Sequence, residues 1–337
     1  YIHVKAIPGA PDELLSRAGY LADRVSINLE LPTAQSLSKL APNKSFKTIL
    51  EPMEKITGTI AANRLALGKE ARMERSSINR YLTGSIFNQN GTDNGQAALS
   101  GTQRTALESG DKLSLPAASK DMCVKRPFAP AGQSTQMIIG ATPETDLTLI
   151  RTTQHLYKNY DLKRVFYSAY IPLNEDSALP QLDADVPLLR EHRLYQADWL
   201  LRFYGFQADE LLSESRPNFN EQLDPKCDWA IRHLGQFPVE VQNASYDMLL
   251  RIPGIGPKSA RRIVETRRYA KLDFDILKKI GVVLKRAHYF ITCNGRMMYR
   301  IPIEESYITS CLTDDNHKEN WEITHQNEKY HQLSLFE

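Results

Sequence analysis

The sequence predicts an α/β domain with a parallel sheet, open or closed into a barrel, followed by an all-helical basic domain. Three observations carry this reading. Four strand-like runs alternate with helix-like runs up to about residue 206, the apolar spacing is purely helical beyond it, and Lys and Arg concentrate in that later part. At 337 residues and 42% hydrophobic content the chain is long enough for two domains. No apolar run reaches membrane-spanning length and no signal peptide is present, so no membrane association and a cytoplasmic location are expected. Cys123, Cys227, Cys293 and Cys311 are scattered without Cys-x-x-Cys or zinc-like His spacing, so neither a metal site nor a disulfide framework is expected.

Tyr1 to Ile7 alternates, with His3 and Lys5 on one side and Ile2 and Val4 on the other, and Pro8-Gly9 ends the run before a helix from Asp12 to Ala22. Because Tyr1 opens directly onto a strand, the chain is expected to begin inside a domain. Arg24 to Pro32 is the second strand, with Ser26, Asn28 and Glu30 on one face and Val25, Ile27, Leu29 and Leu31 on the other. A helical stretch follows. The third strand is Ser134 to Ala141, after which Thr142 is placed to cap and Pro143 to open a helix running to about Tyr160. The fourth is Arg164 to Ile171. In a parallel sheet covered on both faces, both faces are apolar. The polar positions His3, Lys5, Asn28, Glu30, Gln136, Ser168 and Tyr170 therefore point to a lined cavity, the alternative being an edge strand or a satisfied buried network.

Residues 76–120 are rich in Ser, Thr, Asn, Gln and Gly and read as a mobile insertion. Val186 to Phe206 reads as a long amphipathic helix carrying Trp199, Phe203 and Tyr204, and Gln207 to Asn220 as a linker. The expected division is thus an α/β domain over 1–206, a helical domain over 207–304 and a flexible tail over 305–337.

The most specific stretch is Ile252 to Ala260, Ile-Pro-Gly-Ile-Gly-Pro-Lys-Ser-Ala, which resembles the helix-hairpin-helix DNA-binding element. Ser245 to Arg251 reads as a short helix with Met248, Leu249 and Ile252 inward, stopped by Pro253. Gly254 and Gly256 are expected to adopt conformations a Cβ resists and to leave amides facing outward, while Ile255 plugs the turn into the core. Pro257 suits the first turn of the next helix, whose N-terminus attracts an anion, and Lys258, Ser259, Arg261 and Arg262 surround the same point. A phosphodiester oxygen fits there. Residues 251–300 hold 13 Lys or Arg against Glu265, Asp273 and Asp275, a net of +10 in a chain whose total is +2. Such a concentrated field suits backbone contacts that position a protein without reading bases. The bland alternative is a Gly-Pro turn between packed helices with a solvated basic face. Lys271 to Ala287 reads as a second, degenerate hairpin around Gly281.

Several further stretches carry a family likeness: Tyr-Ile-His-Val-Lys-Ala-Ile-Pro-Gly at 1–9, Ser-Ile-Asn-Leu-Glu-Leu-Pro at 26–32, the run from Phe128 to Ala141, Val-Phe-Tyr-Ser-Ala-Tyr-Ile-Pro at 165–172 and the run from His192 to Phe206. Together they resemble the DNA modification or repair radical SAM proteins that end in a helix-hairpin-helix. The resemblance implies a partial (β/α)6 radical SAM-type barrel, of which this chain holds the last four strands. It implies S-adenosylmethionine and a 4Fe-4S cluster as cofactors, and a 5′-deoxyadenosyl radical as the reagent. The family's Cys-x-x-x-Cys-x-x-Cys loop is absent, so the chain is expected to be an N-terminally truncated copy, inactive as it stands. By position, Asn28 and Glu30 would meet the cofactor's ribose or methionyl end, and Ile138 and Gly140 would lie along its adenine. Ser168 and Tyr170 would close the cavity, Gln136 lies on the same face, and His3 and Lys5 would orient substrate or carboxylate.

Gln332 to Phe336, Gln-Leu-Ser-Leu-Phe, matches the pentapeptide by which many bacterial DNA-processing proteins dock on the sliding clamp, with Leu333, Leu335 and Phe336 entering an apolar groove and Gln332 hydrogen bonding. Two other readings stand beside the radical enzyme acting on DNA. One is a helix-hairpin-helix DNA glycosylase using Lys258 with Asp273 or Asp275. The other is a noncatalytic DNA-binding adaptor.

Overall fold

The computed structural model describes residues 1–66, 126–173 and 175–313. It divides into two compact units, Tyr1–Glu191 and His192–Glu337. The first unit is built on a four-stranded parallel sheet of β1 (His3–Lys5), β2 (Arg24–Ser26), β3 (Gln133–Ile139) and β4 (Arg164–Ala169), in the order β1-β2-β3-β4. The register runs His3 against Arg24, Val25 against Gln133, and Gln136 against Phe166. Because each strand pairs with the next in sequence and such connections are right-handed, the linking helices fall on one face of the sheet. These are α1 (Asp12–Leu21), α2 (Ala34–Leu40), α3 (Phe46–Ala66) and α4 (Asp146–Tyr160).

Side chains identify the covered face. The Gln133 amide donates to the carbonyls of Met53 at 2.9 Å and Tyr160 at 3.0 Å, and the hydroxyls of Thr153 and Tyr167 lie 2.8 Å apart. Met137, Ile139, Val165 and Tyr167 are buried on this side, and Ile49, Met53, Ile56, Ile150 and Leu156 of the linking helices are buried as well. Gln136, Ile138, Phe166 and Ser168, one residue out of phase, stay half-buried. This is the period-two pattern of a sheet with one apolar face.

Three sequence expectations are corrected. The strand expected over Arg24–Pro32 is regular only to Ser26; beyond it Thr135 Oγ1 accepts from the Leu29 amide at 2.9 Å, and Glu30 takes φ +69° while still bridging to Met137. The helix after β3 starts at Asp146, not Pro143, because Thr145 is the effective cap, its hydroxyl accepting from Thr148 N at 3.3 Å. The long helix expected to Phe206 is α5 (Leu188–Trp199), continued by a π turn over Leu200–Tyr204 and closed by Gly205 at φ +70°.

The second unit contains α6 (Ala208–Leu211), α7 (Pro225–Arg232), β5 (Val239–Glu240), α8 (Tyr246–Arg251), α9 (Pro257–Thr266), α10 (Phe274–Lys279), α11 (Leu284–Ala287), β6 (Ile291–Thr292) and α12 (Glu305–Thr313). The segment expected as a linker is packed, with Ala208, Leu211 and Leu212 buried, because its apolar residues recur on one side of a short capped helix. A short parallel pair, β5 with β6, brackets the helices. The Glu240 carboxylate ties its ends by accepting from Gly295 N at 2.8 Å and Thr292 Oγ1 at 3.0 Å.

Candidate nucleic-acid interface

Ser245 caps α8 by accepting from Met248 N, and the helix buries Leu249 and Leu250 rather than the expected Met248. The chain then turns through Gly254, at φ +81°, and enters α9 with Pro257 at its first position. Ile255 is 1% exposed, plugging the turn into the core as expected. Beneath it Lys226 Nζ donates to the Ile255 carbonyl at 2.6 Å and lies 4.6 Å from the centre of the Tyr204 ring. Burial lowers the Lys226 pKa to about 7.

A second hairpin follows, α10 turning through Gly281 at φ +93° into α11. The two turns are joined. Val283 N donates to Gly254 O at 2.9 Å, Ser259 Oγ to Gly281 O at 2.7 Å, and Arg262 to Ile280 O at 3.1 Å. A Cβ on Gly254 would stand 2.4 Å from Val283 O, whereas one on Gly256 would meet nothing nearer than Tyr204 Oη at 3.4 Å.

The two glycines therefore differ, contrary to the expectation that both need a special conformation. Gly256 has φ −97°, open to any residue, and Gly254 alone needs positive φ. Ser259, expected at the phosphate, is buried with its hydroxyl turned to the second hairpin.

At the turn itself the backbone amides remain to be placed. Among the described residues no acceptor takes the amides of Gly254, Gly256, Lys258 or Ser259, and both glycines are partly exposed. Lys258, Arg261 and Arg262 are exposed around the same helix N-terminus. Of the 13 cations in 251–300, ten side chains are exposed. The remainder are structural: Arg251 binds Glu210 at 2.9 Å and stacks 3.9 Å from the Phe206 ring, Arg267 donates to Ala244 O at 2.6 Å, and Arg286 pairs with Asp224 at 2.9 Å. Asp273, offered as a catalytic carboxylate, caps α10 by accepting from Ile276 N at 2.7 Å, and Asp275 is exposed in its first turn.

A cleft of about 820 Å³ opens beside the hairpins within this unit, lined by Trp199 and Tyr204, by Asp224 and Lys226, and by Gly254, Gly256, Gly281 and Arg286. Sequence reasoning noted the two aromatics only as helix residues and missed Lys226 altogether. Its one local signal is the Asp224-Pro225 helix start, which says nothing of where its ammonium goes.

In the first unit the partly exposed face of the sheet brings together only part of the expected cofactor set. Lys5, Asn28 and Gln136 line a cavity of about 160 Å³ with His3, Ser26, Thr135 and Phe166. Asn28 donates to Gln136 Oε1 at 3.1 Å. Glu30 is paired with Lys44 at 3.4 Å and Lys5 at 3.9 Å. Ile138 and Ser168 are register partners on the same face but outside the cavity lining, and Gly140 and Tyr170, just past the strand ends, also lie outside it. Gly140 takes φ +86° and backs onto Pro187, where a Cβ would meet the ring at 2.7 Å, which explains the glycine without a ligand. The insertion over 76–120, Cys123 and the pentapeptide Gln332, Leu333, Leu335 and Phe336 lie outside the described residues.

No described helix is long and apolar enough to cross a membrane. Neither a curated protein nor a solved structure matches the chain. The model of the helix-hairpin-helix motif matches residues 239–266, so the chain carries that motif over β5, α8 and α9, and the hairpin around Gly281 lies beyond the match.

Proposed function

We propose that this chain is a DNA-binding protein whose paired hairpins hold the phosphate backbone of a duplex without reading its bases. The observation that carries the reading is the convergence of the Gly256 and Lys258 amides, which have no acceptor among the described residues, with the exposed cations Lys258, Arg261 and Arg262 at the N-terminus of α9. Fluorescence anisotropy with random-sequence duplexes tests it. Binding should be indifferent to sequence, fall steeply with salt, and weaken in Lys258→Ala and Arg261→Ala. A chain that binds no duplex at low salt refutes it.

The second reading places this grip in a radical SAM enzyme that modifies or repairs DNA. What favours it is the parallel sheet with strands in sequential order, the winding a β/α barrel has, together with a polar, partly exposed face that could line a cavity. The described residues do not fit the cofactors. Among them no three His, Cys, Asp or Glu side chains converge to hold a metal ion, and the cavity of about 160 Å³ is below the roughly 300 Å³ at which small-molecule sites begin. Buried Cys227 and Cys293 belong to the second unit, where burial raises both thiols, Cys293 to about 12. No step through a cluster is therefore assigned. Anaerobic reconstitution with iron and sulfide, followed by assay of 5′-deoxyadenosine from S-adenosylmethionine, tests this reading; a colourless, inactive protein leaves the adaptor reading in its place. Borohydride trapping on abasic DNA tests the glycosylase. Pull-down of a sliding clamp, lost on Leu335→Ala with Phe336→Ala, tests the docking peptide.

A further inference from the structure

We infer that the cleft beside the hairpins receives an unpaired nucleobase, stacked on Trp199, from a strand whose phosphate lies on the Gly254–Gly256 turn. The inference rests on the backbone-binding reading and adds a substrate class to it.

Trp199 is 51% exposed, although the segment that carries it buries Leu200 and Leu201. Its indole is already held in place. It packs on Phe203 with ring centres 4.2 Å apart, hydrogen bonds the Tyr204 hydroxyl, and has the Arg202 guanidinium 5.8 Å from its ring centre. A base stacking there would cost little further ordering of the side chain, and an aromatic face accepts any base.

The π turn over Leu200–Tyr204 sets this platform against the hairpin, since Tyr204 Oη approaches the Cβ direction of Gly256 at 3.4 Å. Aromatic wall and anion-facing turn thus adjoin, as the base and phosphate of one nucleotide do. π turns are uncommon and recur at functional sites. In the same lining, the Asp224–Arg286 pair carries both acceptor and donor atoms for a base edge. At about 820 Å³ the cleft has room for a nucleotide, and the surrounding net charge of +10 over 251–300 selects a polyanion.

The test compares two labelled 20-mer duplexes, one fully paired and one with a single-nucleotide bulge, by anisotropy at equal salt. The wild-type chain should bind the bulged duplex about tenfold more tightly, the scale of one base–aromatic stack. Trp199→Ala should bring that ratio to about one, and Trp199→Phe should keep most of it. In a Trp321→Phe background, the bulged duplex should also quench the indole emission more than the paired one does, a readout that leaves Trp199 intact. Equal affinity for both duplexes, or a ratio that persists in Trp199→Ala, overturns the inference while the hairpin reading stands. Failure to bind either duplex removes both.

Discussion

The amide of Val283 donates to the carbonyl of Gly254 at 2.9 Å, so the turns of the two hairpins are fused backbone to backbone. No side chain fits between them. Gly254→Ala places a Cβ 2.4 Å from Val283 O at a residue held at φ +81°, and should cost about 3 kcal/mol in urea denaturation. Gly256→Ala has an ordinary φ and a nearest neighbour at 3.4 Å, and should cost under about 1 kcal/mol. Equal costs for the two would contradict the fused-turn geometry.

Lys258 and Arg261 are exposed and hold no described part of the fold together. Replacing either with Ala should leave stability within about 0.5 kcal/mol of wild type. The dependence of log affinity on log salt should become shallower by about one per residue removed, equally for unrelated duplex sequences. A loss confined to one sequence would mean that the hairpin reads bases.

How much of this was legible beforehand depends on whether a residue's role is local. Pro257, Ile255 and the Gly281 turn were readable because turn chemistry and helix starts are set within a few residues. The alternation in β3 and β4 likewise exposed the polar face, since period two is a property of the strand itself. Ser259 was misjudged because its partner, Gly281, is more than 20 positions away. Gly256 was misjudged because local pattern does not say which of the two glycines takes positive φ. Lys226 was invisible for the same reason, its acceptor being 29 residues on. The choice of Thr145 over Thr142 as cap is a competition between two good candidates that local pattern does not resolve. Nor does it reveal the π turn, because Trp199 to Tyr204 has ordinary helical composition.

Met137 and Ile138 are neighbours of similar size on opposite faces of β3. Met137 is fully buried on the helix-covered side, and Met137→Ala should cost about 2–5 kcal/mol in chemical denaturation. Ile138 is half-buried on the polar face, and Ile138→Ala should cost no more than about 1 kcal/mol. If the second substitution matched the first, the face assigned to the cavity would be a packed core instead.

Lys226 ties hairpin stability to pH. Burial lowers its pKa from 10.5 to about 7, so between those values the unfolded chain carries a proton that the folded chain has released. The contribution of Lys226 to stability must then rise with pH across that window, because at this residue the unfolded state binds more protons. The slope belongs to one residue: Lys226→Met keeps most of the buried volume, loses the bond to Ile255 O, and removes the titration. Wild type should therefore gain stability relative to Lys226→Met as pH rises from about 7 to 10, read as a widening difference in urea midpoints. Below pH 7 the folded ammonium is charged and the difference should be flat. Parallel midpoint curves across the whole range would mean that the Lys226 amine is not desolvated beneath the turn, and the hairpin would then lack the buried prop on which Ile255 rests.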